Sequence, residues 1–407
     1  MLKKQKIAII GGGVAGLSSA WLLDEHHDIT LYETSSELGG DAKTFKRKGI
    51  AFDYGFRTVC CNYTYFKRLL KILDVPTVKR PFNVLYQNEK HSYLTPFLSI
   101  HGNLLSKLNL RYLKTIIAMK KFVCNANIIN ESVTVEEYAL HWLKIDTTIY
   151  NEVILPLFCS AWSCTVNDFR QFSAKIIANF LFEVGLSKPF PPKQTFFTNG
   201  CSEYINKLHQ DLNHTQVILN TPVQSVTFHK DYWVVKTNET THQYDLVIFA
   251  IPANKVCAII ESDEIKAIFN PIRYSESSVV IHNDLDIVGE FPPRTTYKYI
   301  YNQESPFLIG HYLPHPNEKI FITYRVDDNL FKTDKVFFSR TFQHVIIDKE
   351  LLNARDQIKQ IQGLNNLYFT GAYLVNEVLH ESALNSTMNI ITMICPESKR
   401  LKSLTSI

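Results

Sequence analysis

Gly11, Gly13 and Gly16 form a G-x-G-x-x-G sequence, and the carboxylate of Glu33 follows 20 residues after Gly13. At this spacing the first glycine permits a tight turn, the second lets a pyrophosphate approach the backbone, and the third lets a helix pack closely on a strand. Phosphates are favoured at a helix N-terminus, and a carboxylate further along can accept hydrogen bonds from a ribose. The pattern predicts a dinucleotide site formed by Gly11, Gly13, Val14, Ala15, Gly16 and Glu33.

The residues around these glycines have the pattern of a strand, a helix and a second strand. Ile7 to Ile10 is a continuous apolar run, which is typical of a parallel strand buried on both faces. Apolar residues at helical spacing follow from Leu17 to Leu22, and Ile29 to Tyr32 has the character of a second strand. A glycine turn in an ordinary βαβ unit is the alternative, but this order of elements is far more specific than the glycines alone.

Composition and charge limit the class of protein. The chain has 407 residues, 45% of them apolar, and a formal net charge of +4. This length allows two domains with a sizeable core, and so small a charge gives no electrostatic case for nucleic acid. The eight cysteines include no C-x-x-C, so we expect reduced thiols and neither a metal site nor a disulfide scaffold.

The chain runs from Met1 almost directly into the first strand, so we expect no signal peptide. No apolar run reaches the roughly 18 residues that a spanning helix needs. These features predict a cytoplasmic protein, and a peripheral contact with a membrane surface stays open. The sequence leaves the oligomeric state open.

The pattern along the chain alternates between two kinds of domain. From Asn103 to about Gly185 it is helical, whereas alternating strands dominate from Ile272 to Phe342. A second buried strand, YDLVIFAIP, returns the chain to the nucleotide-binding sheet. We therefore predict two interleaved domains and a C-terminal tail, with these bounds: nucleotide domain 1–80, 194–270 and 343–396; substrate domain 81–193 and 271–342; tail 397–407.

Within the helical part, LLSKLNLRYLKTIIAMKKFV has lysines and an arginine among its apolar positions. A basic amphipathic helix can lie on anionic lipid. We favour the more common alternative, a helix that faces the core and has a solvated basic side. Thr134 and Glu137 have the spacing of a capping box that opens a further helix.

Motifs spread over nearly the whole chain resemble those of the flavin-dependent amine oxidase superfamily. They are IAIIGGGVAGL, LGGDAKT, FDYGF followed by Asn62, PLFCSAWSC, YDLVIFAIP and LYFTGAYLVNEVLHESALNS. More narrowly, the chain resembles the bacterial FAD-binding oxidoreductases that are often encoded beside cyclopropane fatty acid synthases. The resemblance implies an α/β fold in which a Rossmann-like FAD-binding domain of the amine oxidase and glutathione reductase type is interleaved with an α+β substrate domain. That domain would contain the helical block and an antiparallel sheet.

The resemblance also implies that FAD is the cofactor. Gly39 and Gly40 match a glycine pair that lies against the FAD phosphates in relatives, and Val223 matches a strand position whose backbone contacts the adenine. Asp53 and Gly55 match a turn near the flavin, and Gly371 ends the strand that approaches it. The further residues expected at the cofactor are Lys43, Thr44 and Ala372.

His380 and Glu381 are the candidate catalytic groups, because they follow the strand that would approach the flavin. The charge of a histidine is adjustable near neutral pH, although a histidine that only holds the loop is an equal alternative. Trp162 and Phe158 would line a substrate pocket in the helical block, and a role for Trp162 in the core is the stronger alternative.

The helical block is rich in aromatic and aliphatic residues and has no evident cluster of charges, which favours an apolar substrate. The resemblance implies a fatty-acyl chain that undergoes dehydrogenation or double-bond isomerisation. An amine oxidase that releases peroxide is the enzymatic alternative. A flavin-binding partner of a lipid-modifying enzyme, without turnover of its own, is the alternative from another class.

Overall fold

The computed structural model describes residues 4–88, 92–95, 110–188, 193–291, 295–301, 307–312, 319–325 and 330–406. The strands are β1 (Lys6–Ile10), β2 (Asp28–Tyr32), β3 (Thr44–Arg47), β4 (Ile50–Asp53), β5 (Thr58–Val59), β6 (Thr77–Arg80), β7 (Val84–Asn88), β8 (Ser92–Thr95), β9 (Gln194–Phe197), β10 (Thr215–Ile218), β11 (Val223–His229), β12 (Tyr232–Thr237), β13 (Thr241–Tyr244), β14 (Leu246–Phe249), β15 (Tyr274–His282), β16 (Tyr297–Tyr301), β17 (Phe307–Tyr312), β18 (Ile320–Tyr324), β19 (Val336–Val345) and β20 (Leu367–Phe369).

The α-helices are α1 (Val14–Leu23), α2 (Tyr65–Ile72), α3 (Leu110–Cys124), α4 (Val135–Glu137), α5 (Thr147–Ile149), α6 (Leu155–Cys159), α7 (Val166–Arg170), α8 (Ala174–Glu183), α9 (Ser202–Gln210), α10 (Ala253–Ile259), α11 (Asp263–Phe269), α12 (Leu285–Val288), α13 (Lys349–Ile361), α14 (His380–Ile394) and α15 (Lys399–Thr405). The π-helical turns are Tyr138–Trp142 and Tyr150–Ile154, and the 3-10 turns are Ala126–Ile128, Ser160–Trp162, Thr333–Lys335, Leu364–Asn366 and Ala372–Leu374.

A five-stranded parallel sheet with the order β10–β2–β1–β14–β20 lies at the centre of the predicted nucleotide domain. Ile9 pairs with Leu31 on one side and with Ile248 on the other, and its side chain is fully buried. Strands covered on both faces need apolar residues throughout, which explains the runs in β1 and β14. The predicted Rossmann-like sheet is confirmed.

The second large sheet has seven strands in the order β19–β15–β18–β17–β16–β7–β8. Its pairs are antiparallel except for β16 and β7, where Tyr299 lies opposite Tyr86 in a parallel pair. We expected an antiparallel sheet from the alternating strands after Ile272. The strand β7 enters from much earlier in the chain, so no hairpin connection requires it to run antiparallel to β16.

The helical block packs on this framework through one continuous apolar core. Phe122, Phe158 and Trp162 belong to the same buried cluster as Val247 and Phe249 of the parallel sheet. The core therefore runs from the block into the parallel sheet, and it fixes the position of the block relative to the sheet.

Two helix boundaries differ in detail from the prediction. Thr134 accepts a hydrogen bond from the Glu137 N–H at 3.2 Å, as expected for a cap, but the helix then widens into a π-helical turn. The helix expected from Ser382 begins at His380, so His380 lies in its first turn rather than in the preceding loop. Residues 96–109, where the helical pattern was expected to begin, lie outside the described residues.

The domain bounds remain a prediction. Strand β9 pairs with β5 and β6, and β7 joins the sheet of β15 to β19, so both predicted domains draw on separate parts of the chain. Among the described residues, no helix combines the length and apolar character needed to cross a bilayer.

Candidate functional site

The glycine turn after β1 is held by contacts that only glycine permits. Gly11 has φ +104° and donates its N–H to the Tyr32 carbonyl at 2.8 Å. A Cβ on Gly11 would lie 2.6 Å from the Ala250 carbonyl oxygen, and one on Gly16 would lie 1.8 Å from the Gly11 carbonyl oxygen. These two glycines therefore serve the packing of α1 on the sheet.

The bare backbones of Gly13 and Gly40 lie against each other. Gly39 donates its N–H to the Gly12 carbonyl at 2.8 Å, which holds the two loops side by side. Gly40 has φ +57°, and a Cβ on it would lie 3.1 Å from the Cα of Gly13. A Cβ on Gly13 would meet the Cα of Gly40 only at 3.8 Å, an ordinary contact. The space beside Gly13 is thus left open by the protein.

The N-terminus of α1 opens at the same place. Leu17 donates its N–H to the Gly13 carbonyl, so the N–H groups of Val14, Ala15 and Gly16 precede the first bond of the helix. These groups and the positive end of the helix dipole favour an anion.

Both oxygens of Glu33 accept backbone hydrogen bonds. Oε2 accepts from the Gly12 N–H at 2.7 Å, and Oε1 accepts from the Ser35 N–H at 2.8 Å. The Glu33 carbonyl accepts from the Thr221 N–H at 2.9 Å, which places Val223 two residues from this contact. Each carboxylate oxygen has a second lone pair, so Glu33 can still accept from a ribose. The structure brings Glu33 and Val223 to the same edge, and their contact with an adenosine stays a prediction.

Lys43 and Asp53 make contacts within the protein. The Lys43 Nζ lies 3.1 Å from Glu37 Oε2, and its side chain is largely buried. Asp53 Oδ1 accepts from Thr44 Oγ1 at 2.6 Å and from the Cys201 N–H at 2.7 Å, and burial raises the pKa of this carboxyl. Asp53 and Thr44 thereby join the β3–β4 hairpin to the start of α9.

The sequence interpretation missed this hairpin, although a signal for it was present. Lys48 and Gly49 both have positive φ between two short apolar-containing strands, and a residue followed by glycine at such a position is typical of a tight hairpin turn. Gly55 packs against the segment that leads into β3, since a Cβ there would lie 1.9 Å from the Asp41 carbonyl oxygen.

The end of β20 is tied to α1 through hydroxyl groups of α14. Gly371 has φ +153° and donates its N–H to Ser386 Oγ at 2.9 Å. Thr387 Oγ1 lies 3.0 Å from Thr370 Oγ1 and donates to the Ala15 carbonyl at 3.1 Å. Gly371 and the adjacent Ala372 are therefore linked to the glycine turn through two buried side chains.

The imidazole of His380 is surrounded by aromatic rings. It is stacked on Phe56, it meets Phe66 edge to face with ring centroids 4.8 Å apart, and its Nε2 lies 2.8 Å from the Tyr204 hydroxyl. Desolvation lowers the pKa of His380 to about 3. The imidazole is therefore neutral at physiological pH, and none of these three partners was evident in the sequence.

Glu381 forms a cap on α2. Oε1 accepts from the N–H groups of Thr64 and Tyr65, both at 2.8 Å, and Oε2 accepts from the Phe66 N–H at 2.9 Å. Burial raises the pKa of this carboxyl, and the three N–H donors oppose that shift. This geometry favours a structural role, and the catalytic role of Glu381 stays a prediction.

Trp162 and Phe158, expected in a substrate pocket, are 3% and 2% exposed and lie in the core of the helical block. The ring of Trp162 contacts Phe169 and Phe180, and its Nε1 donates to the Glu377 carbonyl at 2.9 Å. That bond connects the block to the loop before α14. Apolar side chains such as these occur in a packed core as well as in the wall of a substrate pocket, and the sequence pattern does not distinguish the two.

Arg355 of α13 is a further residue that the sequence interpretation missed. Its guanidinium donates to the carbonyls of Tyr373, Val375 and Asn376 at 2.7 to 3.1 Å, and burial lowers its pKa to about 10. Arg355 thus holds the loop that leads from Gly371 to His380. No local sequence signal marks an arginine that acts through contacts some 20 residues away.

Comparison with known proteins agrees with this geometry. Residues 9–73 match the family model of an NAD(P)-binding Rossmann-like domain. Coproporphyrinogen III oxidase from Staphylococcus aureus (strain NCTC 8325 / PS 47) is 23% identical over 283 residues, an alignment that covers 61% of this chain and 60% of that protein. The chain thus spans less than two thirds of the length of that curated relative.

Solved structures match over almost the whole chain. The crystal structure of a CLA-producing fatty acid isomerase from P. acnes has a TM-score of 0.73 at 15% identity, covering 97% of this chain and 100% of that one. Cyclohexylamine oxidase from Brevibacterium oxydans IH-35A has a TM-score of 0.71 at 11% identity, covering 97% and 99%. The fold expected from the sequence is confirmed: residues 9–73 match a Rossmann-like nucleotide-binding domain, and the whole chain has the fold of the fatty acid isomerase and the amine oxidase that it matches.

Proposed function

We propose that the chain is an FAD-dependent oxidoreductase that acts on an apolar substrate. The observation that carries the proposal is the open space beside the bare backbone of Gly13 and Gly40 at the N-terminus of α1, with Glu33 nearby. A diphosphate needs close approach to bare backbone and to free N–H groups, and a ribose needs an acceptor nearby. Gly13, Gly40 and Glu33 therefore fit the diphosphate and the ribose of FAD.

In this proposal, Gly13, Gly40 and the first turn of α1 hold the diphosphate, and Glu33 and the backbone near Val223 hold the adenosine. The Gly371–Ala372 segment, tied to Ala15 by Thr387, supports the rest of the cofactor. Bound FAD would accept a hydride from the substrate. The protein contributes orientation of the two partners and exclusion of water.

His380 is assigned a positioning role rather than a cationic one. A neutral imidazole stacked on Phe56 cannot act as an imidazolium acid near pH 7. It can hold Phe56 and Tyr204 in place, since it contacts both rings. A proton-transfer role for His380 is the alternative that the pH experiment in the Discussion tests.

A fatty-acyl chain is the proposed substrate. The structural match to a fatty acid isomerase over 97% of the chain supports it. The structural match to cyclohexylamine oxidase is the basis for the second candidate, an amine oxidase. The predicted cytoplasmic location is part of the same proposal.

The test begins with the purified full-length chain. We expect a flavin absorbance spectrum, and acid should release a compound that co-elutes with FAD. Anaerobic addition of unsaturated free fatty acids, or of phospholipids that carry them, should bleach the flavin or shift the double bond in the recovered acyl chain. Primary amines should leave the spectrum unchanged.

Each outcome separates the candidates. Amine-dependent bleaching with peroxide release in air would replace the acyl substrate by an amine. A bound flavin that neither class of compound reduces or uses would favour a flavin-binding partner without turnover. A colourless chain that takes up no added FAD would overturn the proposal itself.

A further inference from the structure

Helix α3 has an apolar stripe on the side that faces away from the protein. Leu110, Leu113 and Ile117 have 67%, 47% and 55% of their surface exposed. Residues three and four positions apart lie on the same side of a helix, so these side chains form a continuous row. Ile128, in the 3-10 turn that follows, adds another apolar side chain with 57% exposure.

The opposite side of α3 makes the contacts with the rest of the protein. Thr115, Met119 and Phe122 are buried there, and the helix packs on α8. Helix α3 therefore has two apolar sides, one that packs in the core and one that is exposed. A helix that faces the core and has a solvated basic side explains the buried row, but it does not explain the exposed apolar one.

Lysines flank the stripe on both sides. At about 3.6 residues per turn, Lys114 and Lys121 lie on one side of the row, and Lys120 lies on the other, beyond Leu113. All three lysines are exposed, and residues 110–124 contain no Asp or Glu. An apolar row between cations, without a carboxylate, matches the surface of an anionic bilayer in both polarity and charge.

We propose that this face of α3 rests on the surface of an anionic phospholipid membrane. The α3 face consists of Leu110, Leu113, Lys114, Ile117, Lys120 and Lys121. A second copy of the chain fits it less well, because a two-fold interface would bring the lysines of both copies together. The inference goes beyond the flavin chemistry proposed above, and it is tested by binding alone, without turnover.

The experiment measures co-sedimentation of the full-length protein with vesicles. Vesicles of phosphatidylcholine alone are compared with vesicles that also contain phosphatidylglycerol. We expect binding to the anionic vesicles that weakens as salt is added, because the attraction of lysines to anionic lipid is screened by salt. Binding to pure phosphatidylcholine should be much weaker.

Two sets of variants test the two components of the face. The triple change Lys114→Gln, Lys120→Gln and Lys121→Gln should lower the partition coefficient on anionic vesicles by on the order of a hundredfold. The double change Leu113→Ser and Ile117→Ser should lower it by roughly tenfold or more on the same vesicles. Circular dichroism and flavin content should match the parent, since none of these side chains faces the core or the nucleotide site.

Matched controls separate the α3 face from general effects. Lys349→Gln, Lys359→Gln and Lys402→Gln together change the net charge equally at exposed positions elsewhere, and Leu364→Ser removes a leucine that is 62% exposed. Neither control should weaken vesicle binding by more than about twofold, given how steeply these charge interactions fall with distance.

Three results would overturn the inference. They are a parent protein that does not bind anionic vesicles, vesicle binding that the α3 variants leave intact, and equal loss of binding in the controls. A concentration-dependent dimer that Ile117→Ser dissociates would assign the face to a second copy instead, and sedimentation velocity measures this directly.

Discussion

The imidazole of His380 lies parallel to the ring of Phe56, with ring centroids 3.5 Å apart and planes inclined by only 8°. His380 begins α14, whereas Phe56 follows the β3–β4 hairpin, so the stack joins the last long helix to the segment between β4 and β5. A charged imidazolium in this aromatic environment would lose its hydration, which is why the pKa of His380 is lowered to about 3.

The first prediction concerns pH. The folded pKa of His380 lies below its unfolded value of about 6.5, so the unfolded state binds more protons between these values. Its contribution to stability is complete above about pH 6.5 and is lost as the pH falls towards 3. His380→Phe keeps an aromatic ring on Phe56 and should flatten this pH dependence.

Urea denaturation of parent and variant at several pH values measures the effect. The difference between the two proteins isolates His380 from other histidines with lowered pKa, such as His282. Substrate-dependent flavin reduction should show no inflection near pH 6.5 that His380→Phe removes. Such an inflection in the parent alone would restore His380 as an acid or base.

The second prediction concerns Glu381. Glu381→Ala should leave three N–H groups at the start of α2 without their acceptor and lower the free energy of unfolding by about 3 kcal/mol. Glu350→Ala, an exposed glutamate in the first turn of α13, is the matched control and should cost less than about 1 kcal/mol. Chemical denaturation measures both.

A structural role requires that the remaining Glu381→Ala holoprotein reduce its flavin at a near-normal rate. A stable holoprotein with a strongly reduced rate would instead support the predicted catalytic role. Stopped-flow absorbance of the flavin distinguishes these outcomes.

The third prediction uses two glycines of the same turn. Gly13→Ala should fold normally, since the new Cβ meets the protein only at 3.8 Å, but it should lose FAD because the methyl group enters the space of the diphosphate. Gly16→Ala should fail to fold, since its Cβ would lie 1.8 Å from a carbonyl oxygen. Thermal unfolding and flavin content report the two effects separately. A Gly13→Ala protein with full flavin occupancy would mean that the diphosphate lies elsewhere.

The fourth prediction concerns Glu33. Glu33→Gln keeps the shape but replaces one acceptor oxygen by an amide NH2 group and removes the charge, so the side chain retains fewer free lone pairs for the ribose beside its bonds to backbone N–H groups. Loss of one charge-assisted bond is worth about 1.5 to 3 kcal/mol, so we expect the dissociation constant for FAD to rise roughly tenfold to a hundredfold. Glu25→Gln, an exposed carboxylate beyond the end of α1, should leave it unchanged. Fluorescence titration of the flavin-free protein provides both values.

Much of the nucleotide site is local, which is why the sequence predicted it. The tight turn at Gly11, the helix that starts after Gly13 and the strand that ends at Glu33 lie within 30 residues of one another. Sterics at single glycines and the apolar pattern of one buried strand determine their arrangement. The motifs further along the chain resemble a known superfamily, and this resemblance extended the prediction from the nucleotide site to the overall fold. It did not reveal the parallel pairing of β16 with β7.

The tertiary structure alone decided the roles of individual polar side chains. Glu381 caps a helix 315 residues earlier in the chain, and Asp53 accepts from an N–H 148 residues later. The pKa of His380 depends on Phe56, Phe66 and Tyr204 from three other segments. The residues adjacent in sequence do not determine the role of a carboxylate or an imidazole. Its charge and its free lone pairs depend on the groups that the completed fold packs against it.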